Sequence, residues 1–287
     1  MTATPIKLKP NRTVTGLPGI THWTIRHDRR GELLVLSNGN KAVHFLGRDP
    51  NGNWVNHGEN AFLVPAPPSG ISLPLTKHDA VVAHSVLRLN EYHYPPQFPP
   101  GAVVLDLGAH CGLSVKAALD RGAAHVVAAE PAPGNLEYLR RNFGDDSRVT
   151  ILPVAAWTRS GTVRLSPGVV PSKPTDSSAG WNVSEGGVLE VPCLAFEDLV
   201  QAAVAKSESG RVAMLKLDIE GAEWSILLGA NLSCVDAISI EYHGAHRDDA
   251  DTPERLAAML GPEFACAIHR HPEAKRLGIL TAVRTAA

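Results

Sequence analysis

The residues best equipped for chemistry lie at the ends of two short apolar runs. Val212–Leu217 leads into Asp218, with Glu220 and Glu223 just beyond; Val235–Tyr242 contains Glu241 and ends against His243. Both runs read as buried strands. Period two puts Lys216 and Asp218 on one face of the first, and Glu241 and His243 on one face of the second. An imidazole beside carboxylates suits the removal of a proton from a hydroxyl, because histidine titrates near neutrality and a nearby carboxylate stabilises its protonated form. This reading makes His243 the general base and Asp218 the group that orients it or the acceptor. Lys216, in an otherwise apolar strand, needs an anionic partner if buried, and Glu241 or Glu220 is the expected one. A divalent cation on Asp218, Glu241 and His243 is a second use of the same atoms. No compact ligand motif calls for it, and no metal is expected.

A second constellation precedes these strands. Val103-Val104-Leu105-Asp106-Leu107-Gly108-Ala109-His110-Cys111-Gly112 is an apolar run entering a glycine turn that opens a helix. Gly108 and Gly112 let a ligand approach the backbone, and the helix N-terminus faces it. A dinucleotide site wants G-x-G-x-x-G, but with its last glycine set on Gly112, Ala109 and Leu107 stand where the other two should be. Asp106 would repel a pyrophosphate and suits a ligand that presents an ammonium group. Glu130-Pro131 closes the next strand, about 24 residues on, close to the roughly 20 expected of an acid that binds ribose hydroxyls. Together these features favour S-adenosylmethionine (SAM), with its α-ammonium, sulfonium and no phosphate, over a nicotinamide dinucleotide. Ala156 and Trp157 follow the third strand. Trp157 either offers the adenine a flat apolar face or is a core residue.

These groups need a scaffold. From Gly101 onward the chain alternates strand and helix, the pattern of a parallel α/β sheet. Strands are expected at Ala102–Leu107, His125–Glu130, Val149–Val154, Val212–Leu217 and Val235–Tyr242. Helices are expected at Gly112–Arg121, Gly134–Phe143, Leu194–Ala205, Ala222–Leu228 and Pro253–Leu260. Phe264–Ile268 and Leu277–Val283 read as a final antiparallel hairpin, giving a seven-stranded, Rossmann-like sheet. Leu165 to Gly187, with Pro167, Pro171, Pro174 and Trp181, interrupts the rhythm. It is expected to be an active-site lid or a plain mobile loop, between strands Thr162–Leu165 and Val188–Val191. Upstream, residues 1–75 form a polar arm and a β-rich region, with a hairpin signal at Ser37-Asn38-Gly39-Asn40. Lys77–Leu89 reads as a helix, and residues 76–287 as the catalytic domain.

On V-V-L-D-L-G-A-H-C-G (103–112), A-A-E-P-A-P-G-N-L (128–136), L-K-L-D-I-E-G-A-E (215–223) and Tyr94-Pro95, the sequence resembles the FkbM-type SAM-dependent methyltransferases. The third element is the most specific; the first is shared with most class I methyltransferases. His110-Cys111 departs from the family's usual small polar and aliphatic pair. The resemblance covers roughly residues 76–245. It implies a class I methyltransferase fold and methyl transfer, commonly to a hydroxyl of a small metabolite such as a sugar or polyketide.

Composition narrows the partners. There are 27 basic and 29 acidic side chains, so the global balance lacks the basic excess of a protein that reads nucleic acid through phosphates. The four cysteines, Cys111, Cys193, Cys234 and Cys266, form no C-x-x-C and read as free thiols of a reducing compartment. Residues Met1 to Arg12 lack an apolar core segment, and no stretch approaches the roughly 18 apolar residues of a membrane span. The expectation is a cytoplasmic enzyme with a small-molecule acceptor and neither nucleic acid nor membrane as partner; a homodimer is compatible with it. N-methylation, a SAM-fold module without catalysis and a nicotinamide dehydrogenase are the alternatives weighed.

Overall fold

The computed structural model describes the strands at 7–8, 14–15, 22–28, 31–38, 41–48 and 54–56, and residues 71, 82–83, 85–87, 89–167, 180–243, 252–270 and 277–285. The chain forms two compact units, Met1–His84 and Ser85–Ala287. In the first, β1 (Lys7–Leu8) pairs with β2 (Val14–Thr15), and β3 (His22–Asp28), β4 (Gly31–Asn38), β5 (Lys41–Arg48) and β6 (Trp54–Asn56) make an antiparallel meander. The expected β4–β5 hairpin is present, but Asn38 pairs with Lys41, so the two connecting residues are Gly39 and Asn40 and not Asn38 and Gly39. Of the expected helix at Lys77–Leu89, residues 82–83 and 85–87 are helical, Leu89 is not, and 77–81, 84 and 88 lie outside the described residues.

The second unit is built on a seven-stranded sheet. Its strands are β7 (Val103–Leu107), β8 (His125–Ala129), β9 (Val149–Leu152), β14 (Met214–Leu217), β15 (Ala237–His243), β16 (Phe264–Arg270) and β17 (Leu277–Arg284), in the order β16-β17-β15-β14-β7-β8-β9. All neighbours are parallel except β17, which runs antiparallel to both β15 and β16. This is the class I methyltransferase sheet with its terminal antiparallel hairpin. Every residue of β7 is buried, as expected of a parallel strand covered on both faces. The helices α1 (Leu113–Asp120), α2 (Pro133–Phe143), α3 (Phe196–Val204), α4 (Glu223–Leu227) and α5 (Pro253–Leu260) connect the strands. In α3, Phe196, Leu199, Val200 and Ala203 form a helical stripe and join the strand residues in the main core. At α5, Pro253 fills the first position and the Thr252 side chain accepts the Arg255 N–H.

A smaller sheet holds β10 (Ala155–Trp157), β11 (Gly161–Ser166), β12 (Asn182–Val183) and β13 (Leu189–Ala195), in the order β10-β13-β11-β12. The expected inserted hairpin is present, with Val163 opposite Val191 and Leu165 opposite Leu189. The expected third strand, Val149–Val154, instead stops at Leu152. Pro153 has no N–H for the ladder, and the chain then turns into the smaller sheet. The centre of the expected lid, residues 168–179, lies outside the described residues. Among the described residues no helix is long and apolar enough to cross a membrane.

Candidate functional site

From the central strands β7 and β14 the chain proceeds in opposite directions along the sheet, to β8 and to β15. Their carboxyl ends open the crevice in which α/β sheets of this kind hold ligands. Gly108, with φ of 78°, follows β7, and a Cβ there would run into the carbonyl oxygen of Asp218. At Gly112, φ is 93° and a Cβ would meet the side chains of Phe143 and Leu139. Both glycines are needed, but for a different reason from the one expected: they accommodate the protein's own packing, not only a ligand.

The register of β7 and β14 sets Lys216 directly opposite Asp106. Lys216 Nζ lies 3.1 Å from Asp106 Oδ1 and 3.8 Å from Asp218 Oδ2, and donates to the Gly108 carbonyl at 2.7 Å. The Ser114 hydroxyl donates to the other oxygen of Asp106. Two expectations are thereby corrected. The partner of Lys216 is Asp106, not Glu241 or Glu220, because a parallel ladder fixes the neighbour at equal depth. Asp106, with no exposed surface, faces Lys216 and Ser114 and not an open ammonium subsite. Burial opposes the charge on Lys216, but Asp106 and then Asp218 outweigh it and hold the ammonium above its ordinary pKa.

Glu130 is 5% exposed. One of its oxygens accepts the His110 N–H at 2.9 Å; the other accepts the Ala132 N–H at 2.8 Å and the Asn135 amide at 3.2 Å. Burial raises its pKa even though these donors pull the other way. Glu130 thus ties the 108–112 turn to the start of α2, with Pro131 between. Ala109 is buried and donates its N–H to Ala129. Asp106, Gly108, Ala109, Gly112, Glu130 and Pro131 are therefore gathered around one turn. Ala156 and Trp157 sit on β10 in the smaller sheet, where Trp157 packs against the cluster of Ala155, Val163, Leu165, Val191 and Cys193. Trp157 is only partly buried there, so this packing is compatible with either of the two roles expected for it.

The second group meets at the ends of β14 and β15. The Tyr92 hydroxyl donates to Asp218 Oδ2 at 2.8 Å. Burial alone would raise the Asp218 carboxyl, but Lys216, His243 and Tyr92 together hold it below its ordinary value. His243 is clasped on both sides, with Nδ1 3.1 Å from Glu223 Oε1 and Nε2 3.3 Å from Glu220 Oε2. Glu223 is fully buried and also accepts the Ile219 N–H, and the Trp224 indole donates to the His243 carbonyl at 2.9 Å. Burial opposes charge on His243, yet Glu223, Glu220 and Asp218 prevail and push its pKa up to about 10. Burial, with Asp218 and Glu223 adding repulsion, pushes the Glu220 carboxyl up to about 7. Burial and then Asp218 raise Glu241 well above the usual range, and Glu91 to about 7.

Asp218 and His243 are thus brought to one edge, as expected. Tyr92, Glu91 and Ser114 were not anticipated. Tyr92 and Glu91 precede the first strand in a segment without periodicity, and a lone serine in a helix has no distinguishing pattern. Around the turn and the strand ends the side chains are acidic, and Lys216 is turned onto Asp106. Such a donor set suits a cationic, phosphate-free ligand and opposes a pyrophosphate, so these residues fit SAM.

The profile of the methyltransferase FkbM domain matches residues 106–267. No curated protein matches the chain in sequence. Among solved structures, the chain is similar to methyltransferase FkbM from Methylobacillus flagellatus KT, with 18% identity and a TM-score of 0.46, over 70% of this chain and 47% of that one. The chain therefore spans about half the length of that structure. A fibrillarin/Nop5p complex (17% identity, TM-score 0.42, 84% of this chain and 94% of that one) and the human methyltransferase 10 domain containing protein (11% identity, TM-score 0.40, 76% and 88%) are also similar.

Proposed function

Because this chain belongs to the FkbM methyltransferase family, we propose that it transfers the methyl group of SAM to a hydroxyl of a small-molecule acceptor. The observation that carries this reading is the joint between the two constellations. Through Lys216, which touches Asp106, Gly108 and Asp218, the glycine turn and the acid–imidazole group are joined at the carboxyl end of the central strands. SAM supplies an electrophilic methyl on a sulfonium; the turn at 108–112, with Glu130 beneath it, would hold it.

The chain's own residues must align the acceptor oxygen with that methyl and accept its proton. Asp218 stays ionised and can receive the acceptor's O–H, its Oδ2 being steadied by Tyr92. His243 is a different matter. At a pKa of about 10 it is already protonated at neutral pH. We therefore assign it the task of fixing Glu220 and the local field, in place of the general-base role its reference pKa suggests. The proton goes to a carboxylate, and Asp218, which Lys216, His243 and Tyr92 keep ionised, is the group at this edge able to take it; Glu241, raised well above the usual range by burial, already holds a proton. The balance is simple: an O–CH₃ bond forms, the S–CH₃ bond breaks, and the hydroxyl proton ends on Asp218.

Incubation with methyl-¹³C SAM and pooled sugar and polyketide alcohols tests the proposal by NMR. A methyl-ether carbon signal is expected. Label found on nitrogen would replace the hydroxyl by an amine, and S-adenosylhomocysteine binding without transfer to any acceptor of either kind would favour a non-catalytic module.

A further inference from the structure

We propose that Asp218, Glu220 and His243 form a binding site for a divalent cation, Mn²⁺ or Mg²⁺. One ligand atom from each lies within 4.8 Å of the others. Donors bound at about 2.0–2.6 Å to a shared ion stand roughly 3–5 Å from one another, so the spacing already fits. Asp218 directly follows β14 and His243 ends β15, its parallel neighbour, so ladder register holds the two ligands in place.

A second observation lies outside the three. A metal-binding imidazole is usually oriented by a carboxylate behind it, which holds one ring nitrogen and aims the other at the ion. Glu223 is placed in this way. It has no exposed surface, contacts His243 Nδ1 at 3.1 Å, and leaves Nε2 facing Glu220. The remaining Glu223 oxygen, Oε2, is buried and has no hydrogen-bond partner among the described residues. A buried, unsatisfied carboxylate oxygen beside a ligand cluster calls for positive charge nearby. Carboxyl groups crowd this edge. Glu91, Asp218, Glu220, Glu223 and Glu241 all act on this edge, while Lys216 is engaged with Asp106. Among the described residues His243 is the other basic side chain in this group.

Two carboxylate oxygens and one imidazole nitrogen suit an ion that retains several waters. The ion would take the place of the proton on His243 Nε2, and its open positions face the crevice for an acceptor oxygen. An oxygen on a divalent ion loses its proton more readily, which would ease its removal. That catalytic part rests on the methyl-transfer reading; the binding of the ion does not.

The test begins with the chain stripped by EDTA and titrated with Mn²⁺ alone, with free Mn²⁺ read by electron paramagnetic resonance. One site per chain is expected, displaced by Mg²⁺. Asp218→Asn and His243→Gln should each weaken it at least tenfold, and Glu137→Gln, on an exposed helix face, should leave it unchanged. Glu220→Gln serves as a third arm if circular dichroism shows that either variant is misfolded. No stoichiometric Mn²⁺ site, or one that survives these ligand changes, overturns the proposal. Methyl transfer that persists in EDTA overturns the ion's catalytic role and leaves the methyltransferase reading standing. Mn²⁺ binding without S-adenosylhomocysteine binding does the reverse.

Discussion

Asp106 and Lys216 form an ion pair at the centre of the sheet, 3.1 Å apart, with 0% and 1% of their side chains exposed. They are direct partners in the β7–β14 ladder, and Lys216 reaches on to the Gly108 carbonyl and toward Asp218. This pair is the structural link between the ligand turn and the chemical edge.

Removing one member leaves a buried charge without compensation. Lys216→Met should cost about 3–5 kcal/mol of stability. The double variant Asp106→Asn/Lys216→Met should recover part of that loss, since no charge is stranded. Urea unfolding of the two variants measures this; equal stability of the single variant and wild type would show that the pair carries no structural weight.

Gly108 should be equally intolerant. Its φ of 78° disfavours a side chain, and a Cβ would collide with backbone, which cannot swing aside. Gly108→Ala is expected to lower stability by about 2 kcal/mol or more and to weaken S-adenosylhomocysteine binding. Calorimetry and thermal unfolding check both, and a variant normal in both would mean that the β7 and β14 ends can part freely.

Glu91 predicts a pH dependence. Burial and then Asp218 push its carboxyl from 4.5 to about 7, so the folded chain binds this proton more tightly than the unfolded chain. The associated stability is fully present below pH 4.5 and is lost as pH rises through about 7. The loss is at most about 3–4 kcal/mol, since each unit is about 1.4 kcal/mol. Glu91→Gln should flatten the change in urea midpoint between pH 5 and 8, measured in EDTA. A variant with the wild-type slope would remove Glu91 as its source.

Tyr92 should separate binding from chemistry. Tyr92→Phe removes a hydrogen bond to a carboxylate, worth roughly 1.5–3 kcal/mol. It should lower kcat about tenfold or more while S-adenosylhomocysteine affinity stays within about twofold. An unchanged kcat would take the tyrosine out of the account.

The strand–helix alternation made the sheet legible, because a parallel strand buried on both faces leaves a short apolar run in sequence, as at Val103–Leu107. Asp218 and His243 were legible for the same reason, since period two and strand-end position put them at one edge. Partnerships across the sheet were not. The pairing of Lys216 with Asp106 depends on register between strands more than a hundred residues apart in sequence, which no local pattern encodes. Protonation was hidden as well. The reference pKa of histidine suggests a base, and only the placement of Glu220 and Glu223 on either side of His243 reveals why its pKa is pushed up to about 10. Tyr92 lies in a segment whose shape is set by Asn90, whose side chain brackets the backbone of Tyr94, an arrangement without periodic signature.

The central claim is that the turn after β7 holds SAM. Calorimetric titration with S-adenosylhomocysteine measures it most directly, with NAD as the comparison ligand and Glu130→Ala as the variant. The account predicts one S-adenosylhomocysteine per chain, no comparable NAD binding, and affinity at least about tenfold lower in the variant, the loss of one or more charge-assisted hydrogen bonds. No binding of S-adenosylhomocysteine, or tighter binding of NAD, would contradict it.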